Sequence, residues 1–167
     1  MPINVKHEVT MKDLPSADED YSLWALLGQA ADATLRARQR ELDRYGISAA
    51  QVAALFVIQA IGEKATPAEI TRWLLRESHT VTELLSRMER EGLVTKTKDL
   101  ERKNMVRVSI TEKGRQAYQQ STKRKSIHKV MSSLSEEERQ QLRSYLERLR
   151  NKALGELTAE RAKPPFP

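Results

Sequence analysis

The chain has 167 residues, of which 39% are hydrophobic and 31% charged, and it carries a net charge of +6 at pH 7. The length predicts one domain with room for an appended oligomerisation part, and the absence of cysteine excludes disulfides, thiol redox sensing and zinc sites built on thiolates. The first twenty residues contain five carboxylates, and the longest apolar run, VAALFVI, is too short to span a bilayer, so we expect a soluble cytoplasmic protein without a membrane partner.

The chain opens with an expected extended arm, residues 1–15, followed by a long helix. Ser16 as N-cap with Glu19 closing a capping box predicts a helix that runs to Tyr45, before Gly46. Its apolar residues follow helical spacing: Trp24, Leu27, Ala31, Leu35 and Leu42. A compact domain of this size cannot cover so long a helix, so we expect it to need a partner surface.

The second helix is expected at the centre of the core. Ser48 as N-cap, with Gln51 three residues later, predicts its start, and Gly62 predicts its end. The stretch VAALFVIQAI between them is apolar on nearly every side, which is typical of a buried helix.

Two short helices then form a helix-turn-helix pattern. Thr66 as N-cap, Pro67 at the first helical position and Glu69 closing a box predict a helix that ends near Leu75. The next helix is expected to have Ser78 as its cap and to end at Glu91, where Gly92 supplies the left-handed residue. A short turn between two helices is the arrangement of many DNA-binding proteins.

The second helix of this pair has an apolar stripe and a polar outward face. The expected buried residues are Val81, Leu84, Leu85 and Met88. The expected DNA-binding residues are Ser78, His79, Thr80, Thr82, Glu83, Ser86, Arg87 and Arg90. Small hydroxyls and long cations suit the major groove, where they find base edges and phosphates.

A basic β-hairpin is expected directly after this helix. The strands are residues 93–98 and 105–110, joined by the polar loop DLERKN. Val106, Val108 and Ile110 are expected to face the core, and the cations Lys96, Lys98 and Arg107 to face outward. Arg102 and Lys103 lie in the loop, from which they can reach phosphates or a minor groove. A helix-turn-helix followed by such a hairpin is a winged helix.

The excess positive charge is confined to one contiguous third of the chain. Residues 72–129 contain 15 Lys and Arg against 7 Asp and Glu, whereas the remainder contains 14 against 16. This clustering favours a polyanionic partner, here double-stranded DNA, over the alternative of ordinary solvated surface charge.

The C-terminal part is expected to be helical and to mediate dimerisation. TEKG begins a helix of about twenty residues, and Ser135 with Glu138 begins the last one. The last helix has a nearly heptad apolar stripe of Leu142, Leu146, Leu149, Ala153 and Leu157. The tail, residues 161–167, is expected to be disordered.

The predicted fold is therefore mainly α with a small β-hairpin. Residues 47–111 form a winged helix-turn-helix, and residues 16–46 and 112–160 form a helical dimerisation layer. A two-fold dimer would place the two copies of the second helix of the helix-turn-helix about one DNA turn apart.

The chain resembles the MarR family of bacterial transcriptional regulators. The resemblance is carried by Thr80-Val81-Thr82, by Met88-Glu89 with Gly92-Leu93-Val94, by Asp99 at the start of the wing, and by Ile110-Thr111-Glu112-Lys113-Gly114 at its end. It implies a homodimer on a pseudo-palindromic operator, acting as a repressor that a small-molecule effector of unknown identity releases.

Two positions depart from the family pattern. The wing of the family carries an Asp followed by Arg where this chain has Arg102 and Lys103, so a carboxylate–guanidinium brace must be absent or built differently. Glu83 stands where a cation is common.

Other functions are less well supported by the sequence. A winged helix used as a protein-interaction module without DNA readout would have an apolar or acidic outward face on its second helix, and this face is polar and partly basic. No catalytic constellation can be argued, so we expect neither an enzyme nor a cofactor. His7, His79 and His128 share no helical face, so no metal site is expected, and Trp24 and Trp73 are expected in the core.

Overall fold

The computed structural model describes residues 18–99 and 105–157. The helices are α1 (Glu19–Leu42), α2 (Ala49–Ile61), α3 (Pro67–Leu74), α4 (Ser78–Arg90), α5 (Glu112–Ser121), α6 (Lys125–Met131) and α7 (Glu136–Leu157). The strands are β1 (Val94–Lys98) and β2 (Val106–Ile110). The expected arm, the cap Ser16, the wing residues Arg102 and Lys103, and the tail lie outside the described residues.

The hydrophobic core surrounds α2 and joins it to α3, α4 and the hairpin. The start of α2 is as predicted, because the Ser48 hydroxyl accepts from the Gln51 N–H at 3.2 Å and the Ser48 N–H donates to the Gln51 side chain at 2.9 Å. The buried apolar side chains of the core include Leu55, Ile58, Ile70, Val81, Leu85, Met88, Val94 and Val108. Trp73 packs against this cluster, as expected.

α3 and α4 form the predicted helix-turn-helix. The Thr66 hydroxyl accepts from the Glu69 N–H at 3.2 Å, and Pro67 occupies the first turn. The carboxylate of Glu69 pairs with Arg72. α3 ends at Leu74, and Leu75 has a left-handed backbone with φ of 50°.

The start of α4 differs from the prediction by one residue. Ser78 is already helical, and Glu77 is the N-cap, with an extended backbone and no side-chain hydrogen bond to the first turn. The expectation that Ser78 caps the helix is therefore wrong, because the extended residue that precedes the helix is Glu77. At the other end Gly92 has φ of 72°, and the Leu93 N–H donates to the Met88 carbonyl at 2.8 Å, which is the predicted left-handed termination.

The hairpin pairs β1 with β2 in antiparallel register. Lys96 lies opposite Val108, and Thr97 lies opposite Arg107. Val108 is buried, and its N–H donates to the Ala65 carbonyl at 2.9 Å, which fixes the hairpin on the turn before α3.

The prediction of a single helix after the wing is wrong, because the structure has two helices there, α5 and α6. α5 ends at Ser121, and α6 begins at Lys125 after Arg124, whose φ is 48°. The side chain of Glu41 on α1 accepts from the N–H groups of Lys125 and Ser126 at 2.8 and 3.0 Å. This carboxylate caps α6, so a contact from a distant helix stabilises the break.

α1 begins later than predicted. Its N-cap is Asp18, whose carboxylate accepts from the Asp20 N–H at 3.0 Å. Its final turn, Asp43–Tyr45, is a 3₁₀ helix that ends at the predicted residue. Trp24 is 66% exposed, so the expectation of a core position does not hold within one chain.

α7 begins with the predicted capping box. The Ser135 N–H donates to the Glu138 carboxylate at 2.7 Å, and the Ser135 hydroxyl accepts from the Glu138 N–H at 3.2 Å. The helix makes few contacts with the other described elements.

Among the described helices, no single one has both the length and the apolarity needed to cross a bilayer. The stretches Glu19–Tyr45 and Ala49–Lys64 together have the length and composition of a membrane span, but the chain bends by 85° between them.

Candidate DNA-binding surface

The outward face of α4 is polar over its whole length. We define it by His79, Thr82, Glu83, Ser86, Arg87 and Arg90. All are exposed except Ser86, which is half-buried, as is the neighbouring Thr80. The stripe of Val81, Leu84, Leu85 and Met88 is buried against the core, as predicted. Burial of that stripe turns this polar face towards solvent.

The hydroxyls of α4 are held in defined hydrogen bonds. The Thr82 hydroxyl donates to the Ser78 carbonyl at 2.8 Å, so its free lone pairs can still accept. The Thr80 hydroxyl lies 3.3 Å from the His79 ring nitrogen. The Ser86 hydroxyl accepts from the ammonium of Lys96 at 3.0 Å.

Lys96 connects the wing to α4. Its ammonium lies 3.3 Å from a carboxylate oxygen of Glu89, and its backbone N–H donates to the other oxygen at 3.2 Å. The Lys96 side chain is 22% exposed. This cation therefore lies against the helix, and its charge is largely balanced by Glu89.

Arg107 lies on the opposite face of the hairpin. Its guanidinium pairs with Asp99 at 2.8 Å and donates to the Lys64 carbonyl at 3.1 Å. A carboxylate–guanidinium brace is thus present in the wing, built from Asp99 and Arg107. It ties the base of the wing to the turn before α3.

The structure does not place the three strand cations on one outer face, contrary to the expectation: Lys96 and Lys98, two residues apart, share one face of the hairpin, and Arg107 lies on the other. Directly opposite residues of an antiparallel pair lie on one face, so Lys96 shares a face with Val108, and Arg107 lies on the other. Lys98 is exposed. Glu89, for which the sequence predicted no role at the site, holds Lys96. The alternation of Val94 and Lys96 along β1 was the signal that could have found this, since Val94 is buried.

The helices outside the winged helix expose apolar side chains. On α7, Leu149 is 52% and Leu157 67% exposed, Leu146 and Ala153 are exposed, and Leu142 is half-buried. On α1 the exposed set is Tyr21, Leu23, Trp24, Leu26, Leu27 and Leu35. Tyr21 and Trp24 contact each other, with ring centroids 5.6 Å apart. Exposed large apolar side chains in such number are typical of surfaces that bind a partner.

Within residues 18–99 and 105–157, no group of three or more His, Asp or Glu side chains is arranged to hold a metal ion.

Comparison with known proteins identifies the fold and the family. Residues 47–114 match the model of a winged helix DNA-binding domain. A search of curated proteins finds no match.

Solved structures match all or most of the chain. The ligand-free form of the organohalide-sensing transcriptional regulator RdhR-CbdbA1625 is 30% identical, with a TM-score of 0.83, and the alignment covers 100% of this chain and 99% of that one. Its 2,4-dichlorophenol-bound form is 29% identical, with a TM-score of 0.84 and the same coverage. A mutant of MarR from E. coli in complex with operator DNA shares the fold at 22% identity and a TM-score of 0.76, over 81% of this chain and 99% of that one.

The fold, the polar outward face of α4 and the similarity to these regulators are consistent with one another. The chain belongs to the MarR family of winged-helix transcriptional regulators.

Proposed function

We propose that this regulator binds a pseudo-palindromic operator as a homodimer and represses transcription until a small-molecule effector releases it. The observation that carries the proposal is the outward face of α4, which is polar and partly cationic along its length. The neighbouring hairpin supplies further cations beside it. A helix of this kind fits the major groove, and a basic hairpin fits the adjacent backbone.

Two groups of residues would share the work. Those of α4 would contact base edges and nearby phosphates: Ser78, His79, Thr80, Thr82, Glu83, Ser86, Arg87 and Arg90. Those of the wing would add positive charge near the backbone: Lys96, Lys98, Arg102, Lys103 and Arg107. Arg107 would act mainly through its brace with Asp99, because its guanidinium is already paired.

Dimerisation is supported by the exposed apolar side chains of α1 and α7. Leu149 and Leu157 are more than half exposed in the single chain, and a second copy would cover them. We propose residues 16–46 and 112–160 as the dimerisation layer, with residues 47–111 as the DNA-binding domain. Such a dimer would present two copies of α4 to one face of the duplex. The cytoplasm, where the chromosome is accessible, is the proposed location.

A protein-interaction module is the competing function. It would require an apolar or acidic surface where α4 faces solvent. The outward face of α4, all of which lies in the described part of the chain, contains no apolar side chain and carries Arg87 and Arg90 against Glu83. The face therefore favours nucleic acid.

Selection from a library of random duplexes tests the proposal. Repeated capture on the wild-type protein should enrich an inverted repeat whose half-site centres lie about 10 base pairs apart. A control with DNA upstream of the protein's own gene should show the same sequence if regulation is autogenous. Failure to enrich any sequence would contradict DNA readout, and enrichment of one unpaired half-site would contradict the dimer.

The effector is proposed to be a small aromatic compound. The support is the 29% identical relative, which was crystallised with 2,4-dichlorophenol. Addition of 2,4-dichlorophenol to the complex of wild-type protein and selected duplex should weaken DNA binding at a concentration that leaves the protein folded. Unchanged DNA affinity at every concentration of 2,4-dichlorophenol would contradict this compound as an effector. It would leave the proposal of DNA recognition intact.

A further inference from the structure

The middle of the outward face of α4 holds a hydroxyl whose partner comes from another element. Ser86 lies seven residues after His79 and four before Arg90, so all three point the same way. The ammonium of Lys96, on β1, donates to the Ser86 hydroxyl oxygen at 3.0 Å. This hydrogen bond connects the wing to the centre of the outward face of α4.

Lys96 is fixed in this position by Glu89. One oxygen of the Glu89 carboxylate accepts the backbone N–H of Lys96 at 3.2 Å, and the other lies 3.3 Å from its ammonium. A single carboxylate thus holds both ends of the lysine. With its side chain 22% exposed and its charge paired, Lys96 is poorly placed to act as a free phosphate-binding cation.

The direction of the hydrogen bond decides what Ser86 can offer to DNA. An ammonium has three donors and no acceptor, whereas a hydroxyl has one donor and two lone pairs. Lys96 therefore occupies a lone pair of Ser86 and repels its proton. Among the described residues, no acceptor takes that proton, so the O–H is left to point outward. This contrasts with Thr82, whose proton is used by the Ser78 carbonyl.

We propose that Lys96 is a positioning residue that sets the Ser86 hydroxyl as a hydrogen-bond donor, so that Ser86 reads an acceptor on a base edge. The acceptors available in the major groove are N7 of purines, O6 of guanine and O4 of thymine. The inference rests on the proposed DNA readout and deepens it, because it replaces a phosphate contact at Lys96 with an orienting role in base recognition.

The two roles predict different changes in DNA binding when Lys96 is replaced. If Lys96 binds a phosphate, its replacement should lower affinity for every duplex and reduce the salt slope by about 1 per subunit. If Lys96 positions Ser86, its replacement should lower affinity for the selected duplex, leave random DNA nearly unaffected, and relax the preference at one base pair in each half-site.

The test compares Lys96→Met, Ser86→Ala and the double variant on a duplex selected by the wild type and on a random duplex of equal length. Each single variant should lose about tenfold on the selected duplex, and the double variant should lose no more than either single one, since both act through one hydrogen bond. Repeating the selection should relax the same base pair for both single variants. Lys96→Arg, which keeps a donor, should restore part of the preference.

Lys98→Met serves as the matched control. Lys98 is exposed two residues further along β1, so its replacement should weaken binding to both duplexes and lower the salt slope. Thermal melting of each variant separates a folding defect from a binding defect. If Lys96→Met unfolds, the selections with Lys96→Arg and Ser86→Ala carry the test, and weakened preference at the same base pair supports the positioning role.

Additive losses, relaxation at different base pairs, or a Lys96→Met variant that behaves like Lys98→Met would each overturn the positioning role while leaving DNA readout intact. A wild type that selects no sequence at all would overturn the proposed function, and this inference with it.

Discussion

At the scale of single residues, Gly114 is where the wing meets α5. Its N–H donates to the Thr111 hydroxyl at 3.0 Å, and that hydroxyl donates to the Gly92 carbonyl at 2.6 Å. A methyl group on Gly114 would collide with the carbonyl oxygen of Leu93 and would lie 2.8 Å from a side-chain carbon of Ile110. The backbone at Leu93 therefore lies so close to α5 that position 114 has room only for glycine.

Gly114→Ala should destabilise the fold by about 1–3 kcal/mol, because the added carbon meets backbone that cannot move aside. Urea denaturation of the wild type and the variant measures this. Gly155→Ala is the matched control, since a carbon there meets nothing within 4 Å, and it should leave stability unchanged or raise it by up to about 1 kcal/mol. Equal stability of both variants would show that the contact at Gly114 relaxes freely.

At the scale of elements, the joint between α5 and α6 is held by a pair on α1. Arg38 and Glu41 pair at 2.8 Å, with side chains 10% and 11% exposed. Arg38 donates to the Ser121 carbonyl at 2.5 Å, at the end of α5, while Glu41 caps the start of α6. Burial raises the pKa of Glu41, but hydrogen bonds from Ser126, Arg38 and Lys125 outweigh it and lower the pKa to about 2.

Glu41→Gln should therefore destabilise the protein in a pH-dependent way. A carboxyl whose folded pKa lies below its unfolded value of 4.5 contributes stability that is complete above that value and is lost as the pH falls towards about 2. The difference between wild type and variant should be about 2 kcal/mol near pH 7 and shrink between pH 5 and pH 3. Urea denaturation across that range measures it.

The control for Glu41 is Glu156→Gln on α7. Glu156 pairs with Lys152, and both side chains are more than half exposed. Its replacement should change stability by less than about 1 kcal/mol at every pH. A Glu41→Gln effect that is constant from pH 7 to pH 3 would contradict the lowered pKa.

The loop of the wing contains two cations that can be tested for contact with DNA. Arg102 and Lys103, proposed to meet phosphates or a minor groove, can be changed together to alanine. Removing two phosphate-binding cations should weaken binding at low salt and reduce the salt slope by about 2 per subunit. Unchanged affinity and slope, measured by fluorescence anisotropy across a salt series, would show that the wing loop does not touch DNA.

The sequence predicted correctly those features that depend on residues close together in the chain, and it missed those that depend on distant residues. The capping boxes at Ser48 and Ser135 and the apolar stripe of α4 involve residues within one or two turns, so these three helices were predicted, although the N-cap of α4 was placed one residue late. The break before α6 depends on Glu41, which lies 84 residues from Lys125 along the chain, and no local pattern contains it. The orientation of Lys96 depends in the same way on the hairpin register and on Glu89.

At the scale of the whole molecule, the distribution of apolar and polar surface separates two halves. The winged helix buries most of its large apolar residues in one cluster, although Phe56 and Leu75 are exposed. α1 and α7 leave large apolar side chains exposed, among them Trp24 at 66% and Leu157 at 67%. A second copy that covers α1 and α7 would bring two reading helices onto one operator, where each half-site raises the effective concentration of the other.

Leu146→Glu combined with Leu149→Glu should give monomers. Burying two carboxylates against a partner is strongly unfavourable, and the isolated subunits should lose most of their affinity for the full operator. Sedimentation velocity measures the oligomeric state, and binding to a single half-site checks that the winged helix is intact. A double variant that still sediments as a dimer would assign this stripe to contacts within one chain.

The most direct test of the account compares the affinity of the wild type and of Arg87→Ala for a selected operator and for a random duplex of the same length. Arg87 is exposed on the outward face of α4, and Arg139 on α7 provides an exposed control. The wild type should prefer the operator by at least about 1,000-fold. Arg87→Ala should cost about 1–3 kcal/mol on the operator and much less on random DNA, and Arg139→Ala should match the wild type. Equal affinity of the wild type for both duplexes, or equal losses for Arg87→Ala on both, would contradict sequence reading by α4.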